Sequence, residues 1–380
     1  MSKHRKKYRL RLTPLTPIHI GTGDEIDPLE YVMLARKDGG KRLYRLNLPA
    51  MIESFTPSRR TEFLKLLDGA DMVALRKFVS DNAIPVQHGF YSAVVNDPVY
   101  ETYQERRFDR NNALRIDPMY RRLDTWQAVI PGSSIKGAIR TAVLSHELKD
   151  AYQRDGWLPD THSRGWEWKW ENEVLNATKP NDDPFRTICL EDVTLPADAI
   201  IVAETKIISR NHLKANSAPE GIQQFYEMTF AYLMGEEDIV GAGSLTLHHG
   251  LRPEYDKKFN IKMLEIDIEK IVNYCKKFYR ARMQEEHEKF YQTRKGEEVC
   301  TVSEQLRDVS YGNLEFPIRL GHFSHCESVT TDLVLESGEP LRTPITRRGR
   351  NGQPLPYGTT RTLAFGDFPM GWAKISLDEM

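Results

Sequence analysis

The segment Ile130-Pro131-Gly132-Ser133-Ser134-Ile135-Lys136-Gly137-Ala138-Ile139-Arg140-Thr141 combines the residue types that hold a phosphate. Pro131-Gly132 makes a turn, and Ser133 or Ser134 can cap the short helix that follows. Ile135, Ala138, Ile139, Ala142 and Val143 fall on one helical face, which packs on a sheet, while Lys136 and Arg140, four apart, share its flank. Gly132 and Gly137 carry no side chain, so a second backbone can come close. A helix start offers unpaired N–H groups and the positive end of the dipole, here with two cations beside it. That chemistry suits a phosphodiester backbone. It is not a Walker A loop, because Lys136 precedes Gly137. Taken alone, a capped helix with solvent-facing cations is the simpler account.

A second segment is Pro17-Ile18-His19-Ile20-Gly21-Thr22-Gly23. His19 has the type of a ribonuclease general base, but its place between two isoleucines favours ordering of the turn. Spacing assembles no nucleophile–base pair from Ser133, Ser134 and the histidines, and Asp97, Asp109, Asp117 and Asp124 lack a metal-ligand rhythm. His322-x-x-His325-Cys326 has zinc donor types without a second pair, and His248-His249 would point to opposite faces of a strand. No metal or cofactor is expected. Trp166, Trp168 and Trp170 alternate, which on an extended strand places all three on one face, for packing, docking or base stacking.

Charge is patterned. Lys+Arg is 53 and Asp+Glu 54, so the chain is not coated in positive charge, yet the cations cluster. Lys3 to Arg11 holds six without an acid, and 101–140 holds eight, including Arg106 and Arg107, against five acids. Arg342, Arg347, Arg348, Arg350 and Arg361 form a third group, in a stretch whose prolines and glycines (338–358) predict an exposed, mobile loop. Three clusters on a neutral chain point to one polyanion-binding face, with solvated loops as the alternative.

The elements that must position these residues follow from periodicity. Tyr8-Arg9-Leu10-Arg11-Leu12 alternates as a half-buried strand. Residues 59–79 and 264–293 read as helices, 199–208 and 244–249 as strands, 314–330 as a strand-turn unit, and the final GWAKISL as an edge strand. Such mixing fits an α+β chain rather than a doubly wound sheet. The length of 380 residues predicts two or three domains, and a boundary near 185 gives 1–185 and 186–380. No signal-peptide core or apolar span is present, and Cys189, Cys275, Cys300 and Cys326 lack CxxC spacing, so a cytoplasmic protein with reduced thiols and no membrane partner is expected.

The Pro17–Gly23 and Pro131–Thr141 motifs, in that order, resemble the RAMP superfamily of CRISPR proteins. Asp24-Glu25-Ile26-Asp27-Pro28-Leu29-Glu30-Tyr31 looks like the fifth subunit of the Csm (type III-A) effector complex, supported by Leu190-Glu191-Asp192-Val193 and Gly371-Trp372-Ala373-Lys374. The resemblance implies two ferredoxin-like (RRM-like) domains with helical insertions. It implies a non-catalytic subunit that caps the 3′ end of the guide RNA (crRNA), contributes to its maturation and to complex assembly, and stacks on the repeated backbone RAMP subunit. Other Csm subunits, and target RNA in the assembled complex, are the further implied partners. His19, Gly21, Thr22 and Gly23 would then line the guide path with Gly132, Ser133, Ser134, Lys136, Gly137 and Arg140, joined by Arg106, Arg107, Arg347 and Arg348. Gly321-His322-Phe323-Ser324-His325 stands where such relatives are more glycine-rich. Two rivals stay open: a metal-independent RAMP endoribonuclease using His19, and a RAMP subunit that grips the 5′ end.

Overall fold

The computed structural model describes all residues except 1–4, 110–113, 157–165, 178–181, 210–223, 249–263, 332–346, 349–353 and 356–359. Most of the 338–358 stretch lies outside the described residues.

Alternation makes the first strand. In β1 (Arg5–Pro14), Tyr8, Leu10 and Leu12 are buried, while Arg9 and Arg11 face water. The chain then forms a hairpin, β2 (Tyr31–Ala35) and β3 (Lys41–Leu46), and a helical insertion, α1 (Leu48–Ser54), α2 (Pro57–Asp68), α3 (Met72–Asn82) and α4 (Pro85–His88). The single helix expected over 59–79 is two, because Gly69 and Ala70, the latter at φ +49°, break it and Asp71 caps α3. Strand β4 (Gly89–Val95), α5 (Asp97–Arg106) and the short strands β5 (Ile116–Asp117) and β6 (Val129–Ile130) lead to α6 (Gly132–Asp155). The helix expected to be short runs 24 residues.

Trp166, Trp168 and Trp170 lie in a helix, α7 (Trp166–Val174), not on a strand. Alternation over five residues is too short to resist the helix-forming Glu and Lys between them. Next come β7 (Ile188–Leu190), β8 (Val193–Thr194), β9 (Ile200–Ser209), β10 (Phe225–Thr229) and β11 (Gly241–His248). Helix α8 (Ile268–Glu286) continues into a π turn at His287–Tyr291, followed by α9 (Glu298–Asp308). The last elements are β12 (Glu315–Arg319), α10 (His325–Val329), the ribbon β13 (Arg347–Arg348) with β14 (Pro354–Leu355), β15 (Thr360–Ala364), β16 (Phe368–Pro369) and β17 (Trp372–Glu379).

Two larger sheets organise this α+β chain. One runs β12-β17-β1-β11-β8-β6, with β7 also on β11; the other runs β16-β15-β9-β4-β3-β2, with β10 on β9 and β5 on β10. Two mixed layers with an inserted helical group are the arrangement expected of paired ferredoxin-like domains. Both sheets take strands from either side of residue 185, so that division does not coincide with them. Strand β17 is not an edge: it lies between β12 and β1, because Trp372, Ala373, Ile375 and Leu377 are buried and both its edges are paired. One apolar cluster spans Leu10, Leu12, Ile135, Ile139, Ile271, Tyr279, Phe316 and Trp372, so α6 and α8 seat on the first sheet. Each such side chain removed from water contributes about 1.5–3 kcal/mol.

Within that core sits a charged node. Glu286 accepts from Arg319 Nη1 (2.8 Å), Arg361 Nε and Trp372 Nε1 (3.1 Å), and Arg361 also reaches Glu327 at 3.0 Å. Burial would raise the Glu286 carboxyl, but the two guanidinium groups hold it below its ordinary value. Arg361 is thus a buried structural cation (3% exposed), not part of a solvent-facing arginine cluster.

Candidate nucleic-acid interface

The turn after β1 is pinned on every side. Leu15 and Thr16 N–H both donate to the Trp372 carbonyl, Gly371 N–H donates to Pro17, and Ile18 N–H donates to Thr229 Oγ1. His322 N–H donates to the His19 carbonyl at 2.9 Å and Tyr120 N–H to that of Ile20 at 2.7 Å. His19 is 4% exposed, and its Nδ1–H donates to the Glu227 carbonyl at 2.7 Å, which leaves Nε2 as the acceptor. Burial pulls its pKa down to about 4, against the opposing pull of that carbonyl, so the ring is neutral near pH 7. Glu227 is itself fixed by Arg121 (3.1 Å) and by Met119 N–H (2.9 Å), with the Arg121 guanidinium 3.7 Å from the Tyr91 ring centre. Gly21, Thr22 and Gly23 emerge exposed from this anchor, Gly23 at φ +87°.

At α6 no serine caps the helix. Asp192 does so instead, its Oδ1 accepting from Gly132 N–H at 2.8 Å. The carbonyls of Leu190 and Glu191 pass so close that a Cβ on Gly132 would lie 2.5 Å from one of them, which is the close approach expected of that glycine. Ser133 and Gly137 are exposed, and Ser134 and Lys136 half-buried; among the described residues Lys136 pairs with no carboxylate. Arg140 differs. It is held by Asp183 (2.8 Å) and Glu171 (3.4 Å) and lies 5.0 Å from the Phe185 ring centre, so it ties α6 to its neighbours.

The two motifs, more than 100 residues apart, meet in one groove. A cavity of ≈ 370 Å³ is lined by His19, Ile20, Gly21, Gly23, Asp117, Ser134, Tyr226, Gly321 and His322. A second, of ≈ 320 Å³, is lined by Ser134, Gly137, Ala138, Thr141, Arg319, Leu320, Gly321, Ser324, Ser328 and Val329. Ser134 and Gly321 belong to both, so the cavities adjoin. The third wall, Gly321-His322, is what sequence reasoning missed. Its signal was the glycine: at φ +90°, with the His19 carbonyl where a Cβ would stand, only glycine fits. His322 is exposed, its ring edge-on to Phe323 at 4.8 Å and 6.3 Å from His19. His325 lies next to it, half-buried and neutral, its pKa lowered by burial, and among the described residues no group of three or more His, Cys, Asp and Glu is placed to hold a metal.

The remaining cations are dispersed or neutralised. Arg115 pairs with Glu25, Arg122 with Asp124, Lys7 with Glu191 and Arg11 with Asp378. Arg106 is exposed at the end of α5, and Arg107 lies against Tyr103 and Phe108; neither lines the groove. Arg347 and Arg348 form one strand of the β13–β14 ribbon, and their side chains lie outside the described residues. No helix of the described residues is long and apolar enough to cross a membrane.

The RAMP superfamily matches residues 11–281. The CRISPR system Cms protein Csm5 of Mycobacterium tuberculosis is 22% identical over 254 residues, 60% of this chain and 64% of that protein. Csm5 of Streptococcus thermophilus is 27% identical over 202 residues, 49% and 54% respectively. The chain therefore spans less than two thirds of the length of these curated relatives. A chain in the cryo-EM structure of the Csm–crRNA–target RNA ternary complex of a type III-A CRISPR-Cas system superposes with TM-score 0.66 at 19% identity, covering 98% of this chain and 100% of that one. The crystal structure of T. onnurineus Csm5 gives 0.59 at 17%, covering 96% and 99%. At these identities the structures speak for the fold.

Proposed function

We propose that this chain, which belongs to the RAMP superfamily, is a non-catalytic, guide-RNA-binding subunit of a type III-A CRISPR (Csm) effector complex. The observation that carries the reading is convergence: the Gly21–Gly23 turn, the first turns of α6 and the Gly321-His322 turn line one continuous groove. Its lining is backbone, hydroxyls, one carboxylate (Asp117) and the exposed His322 ring, with Lys136, unpaired among the described residues, on the adjoining turn of α6. This suits a single RNA strand held by its backbone with a base against His322. Such contacts do not read sequence, as a subunit that must accept any guide requires. The Csm5 relatives and the superposed chain of a crRNA-containing complex support a place in such a complex. The finer reading, carried by the resemblance of the motifs, is that the subunit caps the guide 3′ end, supports its maturation and stacks on the repeated backbone subunit.

The test is Lys136→Ala. Lys136 is half-buried and pairs with no carboxylate among the described residues, so the change should move stability by about 0.5 kcal/mol or less. RNA affinity should fall equally for unrelated sequences, and the slope of log K against log salt should shrink by about 0.7, as when one phosphate of a single strand is no longer neutralised. An unchanged slope removes Lys136 from the site; sequence-dependent loss contradicts backbone gripping. The groove also holds two imidazoles, His19 and His322, the observation that favours an endoribonuclease. With its pKa down at about 4, His19 is a weak base. Cleavage of labelled RNA in a metal chelator, lost in His19→Asn, would establish that second reading instead.

A further inference from the structure

Gly137 poses a problem that the fold does not solve. Gly132 is bare because the chain's own backbone crosses it, but around Gly137, apart from its own stretch of helix, no described residue comes within 4 Å of where a Cβ would stand. The position is exposed and inside a 24-residue helix, where glycine is among the poorest choices and alanine the best. The fold alone would favour alanine here. The side of α6 left open at Gly137 is a wall of the ≈ 320 Å³ cavity, room for roughly ten waters.

The opposite wall carries polar groups with unused capacity. Arg319 is 3% exposed and Ser328 2%. Arg319 uses Nε on the Met370 carbonyl and Nη1 on Glu286, while its Nη2 and the Ser328 hydroxyl are buried without a hydrogen-bond partner among the described residues. Buried donors are ordinarily paired, so two idle ones on one cavity wall point to a missing acceptor. Ser134 lines the same cavity, and Lys136 stands on the adjoining turn of α6.

We propose that Gly137 is a contact residue: a phosphodiester of a single RNA strand crosses α6 over it, and Arg319 Nη2 and the Ser328 hydroxyl bind that phosphate. A neighbouring protein chain is the competing occupant, since Ala138, Leu320 and Val329 also line the cavity, but the two buried donors favour an anion. The inference rests on the RNA-binding reading and assigns it a specific crossing point.

Substitutions at two positions separate it from a structural explanation, because each should leave the fold as stable as before or more so. Gly137→Ala and Gly137→Leu improve helix propensity where no other described element stands close, and Ser328→Ala deletes a buried hydroxyl that bonds no described residue. The full chain is tested for melting temperature and for binding three unrelated fluorescent single-stranded RNAs across a salt series. Expected are melting temperatures equal to or above the parent. Affinity should decrease in the order Gly137→Ala, then Gly137→Leu. The latter should bind about tenfold or more weakly, as expected when one charge-assisted hydrogen bond to the phosphate is broken, with a salt slope smaller by about 0.7. Ser328→Ala should also bind more weakly. Parent-like affinity and slope in folded Gly137→Leu overturns the proposal while leaving RNA binding intact. Normal RNA binding with failed assembly onto the backbone subunit also overturns it, and makes the occupant a protein. A parent chain that binds no RNA, even assembled, overturns the functional reading itself.

Discussion

Replacing His19 by asparagine should remove a measurable part of this protein's acid sensitivity. The substitution is chosen because an asparagine amide N–H can donate to the Glu227 carbonyl as imidazole Nδ1–H does, so the turn keeps its anchor. An unfolded histidine titrates at the ordinary 6.5, whereas burial places the folded one at about 4. Between those values the unfolded chain binds a proton that the folded chain does not. Stability from this group is therefore level above pH 6.5 and falls as the pH drops towards 4, with a total loss of about 3 kcal/mol. Urea unfolding of parent and variant, stepped from pH about 7.5 to about 4.5, should give curves that are parallel at the top and diverge below 6.5. The variant should lose stability more slowly, by about 1.4 kcal/mol per pH unit at the steepest. Other buried groups, His325 included, titrate in both proteins and cancel. Curves that stay parallel through the whole window would show that His19 gains its proton without unfolding, and the account of the pinned turn would be wrong.

Glu286→Gln should destabilise by about 3–5 kcal/mol, because Arg319 and Arg361 remain buried without their shared counter-charge; denaturant midpoints near neutral pH measure it. Gly321→Ala should cost at least as much as a strained left-handed residue, about 1–3 kcal/mol, and more through its clash with the His19 carbonyl, seen as a lower melting temperature and weaker RNA binding together. Arg140→Ala should lower stability by about 1 kcal/mol through its half-buried pairs with Asp183 and Glu171. Its RNA affinity and salt slope should change less than those of Lys136→Ala, and the reverse order would move Arg140 into the phosphate path.

What the sequence made legible was local. Alternation in Tyr8–Leu12 and the apolar spacing of Ile271, Val272, Cys275, Phe278 and Tyr279 found β1 and α8, because period and burial coincide there. The two glycine-bearing turns of the groove were visible for the same reason: turn chemistry is written in adjacent residues. Pairings across long separations were not. Nothing near Arg361 announces Glu286, nor does anything near Arg121 announce Glu227, so cations that clustered in sequence proved to be structural in space. The cap of α6 was misassigned to serine because its true partner, Asp192, lies 60 residues away. The edge assignment of β17 failed similarly, since a strand's neighbours are a property of topology and not of its own residues.

The placing of β1 between β17 and β11 also bears on how the protein is made. Arg11 and Asp378 are 367 positions apart yet joined, and the Met380 N–H donates to the Lys7 carbonyl. On the ribosome, the first strand emerges long before either partner exists. At roughly 5–20 residues per second, it waits on the order of half a minute for the strand that closes its free edge. During that interval an alternating apolar ribbon stands open to neighbours, a setting for mispairing that a chaperone or an early-bound assembly partner would suppress. The two ends of this register are also close enough to join by a short linker. A circular permutant opened in the exposed α2–α3 connection at Gly69-Ala70 would present β17 and β1 to the ribosome in succession, and should reach the folded state with less loss to aggregation.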